Sequence, residues 1–484
     1  MSLRASWVCG GALALSGCMV GPDFKPPPVP ESQGYTAPGD APPPVDQRIT
    51  LGARIEGDWW TQFHSTALDS LIREALANNQ DIAAARARVA EAREEVNAAQ
   101  AALLPSLTFG TTVGRQKYGK SLFGPLDFVI PPFTYYTVGP SLNAPLDLFG
   151  GNKRALEERA AYDDYQKEQL NAAYLSLTAN ITTQALTAAA ARAQLDVVQD
   201  IITNDQRNVD LVQTALDDGL ATRTQLLTAQ TQLATDRTLL PQLRQEESTA
   251  RHALAILLGK QPAEWAPPAL TLSDFTLPAE IPASLPSQLV HRRPDIVAAE
   301  AQLHAASAAI GVATANLYPN VSLGGTLTQQ ALTPGNLFQG AAAAWSIAAN
   351  LTAPLYDAGK LRAEQRAAVD GYQAALADYR QVILRSFGEV ADGMQALAND
   401  EEQFNSQAVA AQTAQSARDL VRRSFTVGNS GILDVLDAER STAQAQLGLA
   451  RARAQRLIDT ARLYMSLGGT PIPADQAANL ASTH

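Results

Sequence analysis

The sequence predicts a mainly α, internally duplicated fold with a small β part, and three observations carry that prediction. Residues 79–262 can be laid over residues 293–471. Each of these copies contains a long, alanine-rich run without a proline, at 150–216 and at about 357–425. Each also holds two short stretches of alternating apolar and polar residues, bounded by prolines at matching positions. Self-similarity at a fixed spacing means one supersecondary unit used twice.

The duplication rests on particular residues. Leu103-Leu104-Pro105-Ser106-Leu107 matches Leu317-Tyr318-Pro319-Asn320-Val321 at an offset of 214. Ala144-Pro145-Leu146 matches Ala353-Pro354-Leu355 at 209, and that offset then holds for Gly219 with Gly428, Ala229 with Ala438, Gly259 with Gly468 and Pro262 with Pro471. The change of five residues falls between the prolines, in a loop of variable length. The chain accordingly divides into 1–17, 18–50, a first repeat over 51–262 (hairpin about 106–144), a proline-rich linker over 263–292, a second repeat over 293–471 (hairpin about 320–353) and a tail over 472–484.

Taken in order, the N-terminus reads as a signal peptide. Arg4 supplies a short positive region, and Trp7 to Leu15 is apolar. The run ends in Leu15-Ser16-Gly17-Cys18, which resembles a bacterial lipobox. That resemblance implies cleavage before Cys18 and lipidation of Cys18, and several acyl chains anchor far more firmly than one. Met19 follows; an Asp there often signals inner-membrane retention in lipobox proteins, so its absence favours the outer membrane. The only cysteines are Cys9 and Cys18, so neither staples a fold. Residues 22–45 are proline-rich and should form an extended tether.

Residues 80–104 are rich in Ala, Arg and Glu and predict a helix that Pro105 ends. Two extended stretches follow. In the second copy Val321, Leu323, Gly325 and Leu327 fall on one face, and Trp345, Ile347, Ala349 and Leu351 on one face of the return stretch. Ser322, Thr326 and Thr328, then Ser346, Asn350 and Thr352, occupy the other faces. Strands of about 9–11 residues with one apolar face suit a membrane barrel. In the first copy Tyr118, Phe123, Phe128, Phe133, Tyr135 and Tyr136 are candidate interface aromatics.

The long helices come next. Residues 150–216 would span roughly 100 Å as a helix. Ile181, Ala188, Ala191, Leu195, Val198, Ile202, Val209, Val212 and Leu216 form a coiled-coil seam broken only at Gln184 and Asp205. Val390, Leu397, Phe404 and Ala411 repeat it more weakly in the second copy. The short helices, 80–104 and 222–257, together nearly equal the long one, so two short helices should stack end to end beside each long helix.

Composition narrows the function. Hydrophobic residues make up 46% and charged residues 18%, which excludes a disordered chain. A net charge of −11 argues against nucleic acid. No unbroken run of about 18 apolar residues predicts a transmembrane helix. Two hairpins give four strands per chain, too few to close a barrel, and an open sheet edge in lipid leaves backbone groups unsatisfied. The chain must therefore oligomerise. Two copies would give eight strands with a filled interior; three would give twelve strands with room for a lumen. A pore continued by a long helical tube is a duct.

Here the residues resemble a known family. Gly57-Asp58-Trp59-Trp60-Thr61-Gln62-Phe63, then Leu68, Leu71-Ile72 and Ala75-Leu76, is similar to the opening of the TolC-type outer-membrane factors. Arg292-Arg293-Pro294-Asp295-Ile296 with Ala299-Glu300 resembles their second-copy opening, and Cys18-Met19-Val20-Gly21-Pro22-Asp23-Phe24 the start of the lipoprotein (NodT/OprM-like) branch of multidrug efflux channels. The resemblance covers nearly all of the mature chain. It implies a homotrimer with a periplasmic α-barrel and a trimeric 12-stranded transmembrane β-barrel. It also implies docking to a periplasmic adaptor and an inner-membrane efflux pump, usually of the resistance-nodulation-division (RND) class, with export of small molecules.

Two sites follow from it. The helix–turn–helix tips, Gly219-Leu220-Ala221-Thr222 and Phe425 with Gly428-Asn429-Ser430, should form the periplasmic end and contact the adaptor; their glycines suit a reversal needing positive φ. Leu433-Asp434-Val435-Leu436-Asp437-Ala438 resembles the family segment that carries the aperture aspartates. Asp434 and Asp437 share a helix face, and in a trimer would form two stacked acidic rings that favour cations. The first-copy positions are Gln225 and Thr228, so the acidic gate belongs to the second copy alone.

Other readings are weaker. Gly114-Arg115-Gln116-Lys117-Tyr118-Gly119-Lys120-Ser121 fits a phosphate-binding loop letter for letter, but Leu122-Phe123-Gly124-Pro125 opens no helix behind it. Histidines 64, 252, 291, 304 and 484 show no metal spacing, and His304 reads as a packing residue. The chain is therefore not expected to be an enzyme or to hold a cofactor. A lipid-anchored periplasmic coiled coil without a pore, or a duct for type I protein secretion, are the alternatives.

Overall fold

The computed structural model describes residues 19–29, 34–41, 44–53, 55, 57–119 and 130–469. In chain order the elements are β1 (Arg48–Leu51), α1 (Thr66–Asn78), α2 (Gln80–Ala101), β2 (Ser106–Gln116), β3 (Phe133–Leu146), α3 (Gly151–Asp217), α4 (Arg223–Arg237), α5 (Leu239–Leu257), β4 (Glu280–Ala283), α6 (Pro286–Leu289), α7 (Pro294–Ala315), β5 (Asn320–Ala331), β6 (Ala343–Thr352), α8 (Lys360–Thr426) and α9 (Ile432–Ser466). The two long helices start and end 209 residues apart and are 67 residues each. Gly150, Gly219 and Gly259 have positive φ, and so do Gly359, Gly428 and Gly468, their partners at that same offset.

The chain forms two compact units. The first comprises residues up to 27, 88–166 and 299–379 and carries the antiparallel sheet, in the order β2-β3-β5-β6. Val321 pairs with Leu351, Leu323 with Ala349, Gly325 with Ile347 and Leu327 with Trp345, so the two apolar faces read from the sequence form one continuous row. On the opposite face Thr326 and Ser346 meet at 2.7 Å, and Thr108 and Ser141 do the same at 2.9 Å in the first copy. The apolar row is solvent-facing, with Phe109, Trp345 and Ile347 each about three-quarters exposed or more. Such a face needs lipid or a partner. Among the described residues, strands β2 and β6 are the sheet's edges. Pro140 sits inside β3, and the pairing of β3 with β5 skips residues 139 and 140, because proline has no N–H for the ladder.

The candidate interface aromatics divide. Tyr136 lies opposite Val113, in the apolar row, whereas Tyr135 and Phe133 lie opposite Gly114 and Gln116 on the other face. Tyr118 packs 5.8 Å from Phe133; Phe123 and Phe128 lie outside the described residues.

The second unit comprises residues 28–87, 167–298 and from 380 onward. In it Trp59 stacks on Tyr464 at 5.3 Å, and Phe63 meets the same tyrosine edge-on, so the aromatic opening motif closes over the end of α9. The proline-rich segment between the copies does more than link them. Residues 280–283 pair in parallel with β1, where Pro282 lies opposite Thr50 and needs no donor at a two-stranded edge.

Short helices meet end to end, as their lengths required. Asn79 caps α2 by accepting from the Ile82 N–H at 3.0 Å, and its amide donates to the Leu257 carbonyl at the end of α5 at 2.9 Å. The equivalent residue of the second copy is Arg293. It donates to the Ser466 carbonyl at the end of α9 at 2.9 Å, and pairs with Asp295 at 2.8 Å and with Glu389. Helix ends leave carbonyls without intrahelical partners, and both side chains satisfy one.

The sequence expectation of no membrane-crossing helix rests on unbroken apolar runs of about 18 residues, and α7 contains none. Among the described residues this helix alone is long and apolar enough to cross a membrane, with a mean hydropathy of 1.3. Its alanines raise the average without forming an unbroken apolar run, and it carries Asp295, Glu300 and His304.

Candidate functional site

The tips are built by local hydrogen bonds. Gly219, at φ 75°, lets the chain reverse after α3, and the N–H groups of Leu220 and Ala221 donate back to the Ala215 carbonyl at 2.7 and 3.0 Å. Thr222 and Gln225 then form a reciprocal capping box. In the second tip Gly428, at φ 81°, makes the turn and the Asn429 N–H donates to the Ser424 carbonyl at 2.8 Å. The Ser430 hydroxyl donates to the Val421 carbonyl at 3.2 Å. Gly219, Leu220, Thr222, Gly428 and Asn429 are exposed, whereas Ala221, Phe425 and Ser430 are half-buried. Phe425 and Ala221 pack on the apolar cluster of Val209, Val212, Leu226, Ile432 and Val435, which fixes the tips to each other.

Both candidate gate aspartates are exposed near the start of α9. Asp434 occupies the third helical position and accepts from the Gly431 N–H at 2.8 Å, a capping contact. Gln225, its first-copy counterpart, accepts from the Thr222 N–H at 2.7 Å. Asp437 pairs with Arg440 at 2.7 Å. Asp437 and its counterpart Thr228 line one cavity of about 270 Å³.

At the other functional region, in the first unit, the N-terminal segment is clamped beside the start of α3. Arg154 is 1% exposed and binds the carbonyls of Val20 and Gly21 and the carboxylate of Asp23, the last at 2.8 Å. Glu157 holds the same guanidinium at 2.7 Å and takes His304 at 2.9 Å, while Phe24 stacks on the His304 ring at 4.4 Å. His304 is thus a packing residue. A Cβ on Gly311 would come 2.7 Å from the Arg154 side chain, so that glycine makes room for the clamp. Met19 lies against Gly150, where β3 hands over to α3. Cys18 lies outside the described residues, one position before Met19. The phosphate-loop look-alike begins inside β2, which runs through Gly114 to Gln116; Lys120 and Ser121 lie outside the described residues.

This geometry has known counterparts. The chain matches the outer membrane efflux protein family over residues 71–260 and again over 285–469. It belongs to that family. The pyoverdine export outer membrane protein OpmQ of Pseudomonas putida is 31% identical over 91% of this chain and 94% of that protein. The probable efflux pump outer membrane protein TtgC of Pseudomonas putida is 30% identical, over 95% and 94%. The solved outer-membrane channel OprN superposes with a TM-score of 0.84 at 29% identity, covering 94% of this chain and all of that one. The protein is an outer-membrane efflux channel subunit that spans the outer membrane and reaches into the periplasm.

Two acidic pairs inside this efflux protein are not legible in the sequence pattern. Asp205, a break in the apolar seam, is buried with Asp236 and Glu439 around it. Burial first, and then Asp236 and Glu439, push its carboxyl up to about 7. Asp400 is buried beside Asp459, and burial and that neighbour push it up to about 7 against the pull of Arg456 and Arg462. The usable signal is a charge on a buried helix face; the Asp400 pairing also needs α9, which no local pattern supplies.

Proposed function

We propose that three copies of this chain assemble, their four-stranded sheets closing one twelve-stranded barrel and their long helices continuing it as a periplasmic tube. The observation that carries the reading is the sheet itself. It has two edges that face no strand among the described residues and a continuous exposed apolar face, and in lipid such edges are tolerated only where another strand covers them. Cys18 is the lipid anchor, which fits a clamp that brings Met19 to the end of β3. The tips at 219–222 and 425–430 dock on a periplasmic adaptor, which joins the channel to an inner-membrane pump of the RND class, and the cargo is small molecules.

Asp434 and Asp437 line the narrow inner end of the pore as paired acidic rings. Purified protein in a planar bilayer should give cation-preferring single-channel currents and migrate as a trimer. Replacing both aspartates by alanine should raise conductance. Monomeric migration without current sinks the duct, and a double variant with unchanged conductance and selectivity sinks the gate. Cross-linking from Asn429 should capture an adaptor.

A further inference from the structure

Near the tips, the apolar seam shared by α3, α4, α8 and α9 is interrupted by acids. Asp205 on α3 is 8% exposed, and its Oδ2 receives no hydrogen bond. Asp236 on α4 lies within hydrogen-bonding reach of it, and Glu439 on α9 adds a third carboxyl close enough to act on its charge. Arg422 is ion-paired with Glu439 itself, and the other nearby cations are engaged elsewhere. Arg422 on α8 places its Nε 2.5 Å from Glu439 Oε1, outside hydrogen-bond alignment, Arg440 on α9 pairs with Asp437, and Arg237 on α4 donates to Gln206. Gln232 donates to the Asp236 carboxyl at 2.7 Å. Among the described residues no cation pairs with Asp205. One turn along, Asn208 is also buried with its amide nitrogen unpartnered. Both residues line the cavity of about 270 Å³ that Asp437, Arg440 and Thr228 share. Two carboxyls in hydrogen-bonding reach, without a cation, hold a proton between them.

We propose that Asp205 and Asp236, facing the Arg422-paired Glu439, are a proton-operated latch that, when protonated, holds the α3–α4 hairpin against the α8–α9 hairpin and, when deprotonated, is repelled by Glu439 and loosens α9 at the level of Asp437. The part concerning conduction rests on reading the α8–α9 tip as the pore's inner end. The folded carboxyl titrates near 7, well above its ordinary range, so the folded state binds the extra proton. The latch is made below that value and released as pH rises through it.

The test compares the full-length protein with D205N, which keeps the shape and hydrogen bonding of the protonated acid. Bilayer conductance at about pH 5.5 and about pH 8 should rise at least roughly twofold for the native protein and stay at the low-pH level for D205N. Hydrogen exchange of residues 200–212 and 433–440 should quicken with pH in the native protein only. Native and D205N proteins responding alike, or a native protein that ignores pH, overturns the latch. D437N should retain the response; losing it would assign the effect to the exposed aspartate and overturn the latch as well. Should D205N not fold, D236N takes its place with the same expected outcome. If no current flows at all, the channel reading fails, and hydrogen exchange in the same preparation still decides on the latch.

Discussion

Two long helices of equal length end in two tips with the same backbone and different chemistry. In the first tip Thr222 and Gln225 cap the returning helix with neutral groups; in the second, Gly431 and Asp434 do so with a charged one. At the other end of the returning helices the contrast recurs. Asn79 joins α5 to α2 with one amide, and Arg293 joins α9 to α7 through a buried guanidinium with two acidic partners. The two copies therefore share their backbone geometry, while at these capping and joining positions the second copy alone carries charge. The difference teaches that a duplicated scaffold can be specialised at a few capping positions without altering its fold.

The largest expected effect tests the junctions. Arg293→Ala removes the donor to Ser466 and leaves Glu389 and Asp295 facing a buried site. Removing one partner of a fully buried pair costs about 3–5 kcal/mol; both acids are over 40% exposed, so about 2–3 kcal/mol is expected after screening. Asn79→Ala loses a helix cap, worth about 1 kcal/mol. Thermal unfolding of both variants checks the ratio, and equal losses would break the contrast between junctions.

A second effect depends on pH. Asp400 titrates near 7 in the fold and in the ordinary carboxylate range when unfolded. The folded state thus binds more protons, and the stability tied to this group is full at low pH and lost as pH rises through about 7. Asp400→Asn should raise Tm by about 2–4 °C at pH 8, by less at pH 5, and leave it almost unchanged only below about pH 4, where both the folded and the unfolded carboxyl are protonated. A variant with the same shift at all three pH values would deny the titration.

Most of the scaffold was legible because helices of this length advertise themselves. The offset of 209, the glycines of both tips and the paired apolar rows were all readable from local pattern, and each is a feature in which neighbours along the chain decide the structure. What escaped needed contacts distant in sequence. The clamp joins Arg154 to Val20 and Asp23 across more than 130 residues, and Asp205 is buried because α4 and α9 close over it. Asp434 is the instructive middle case. Its resemblance to a gate residue was legible, but its capping role was not, because the contact depends on how the turn before it folds.

Smaller still are the tip glycines. Gly219 and Gly428 both have positive φ, and a β-carbon added at either would meet open space, so only backbone strain opposes alanine. Each replacement should cost about 1–2 kcal/mol, and the two costs should agree, since the reversal is common to both copies. Unequal melting shifts would show that the tips differ in backbone after all.

The smallest stability effect separates the two roles of Asp434. Asp434→Gln keeps an acceptor at the third helical position, as Gln225 does in the first copy, so stability should change by less than about 0.5 kcal/mol. The charge is gone, however, and if the carboxylate belongs to an acidic ring, conductance should rise and cation preference fall. Gln225→Asp is the mirror experiment, giving the first tip the same cap and a new charge. Should Asp434→Gln leave conduction untouched while Asp434→Ala alters it, the residue matters through the cap, and the asymmetry between the copies is one of helix ends and not of the pore.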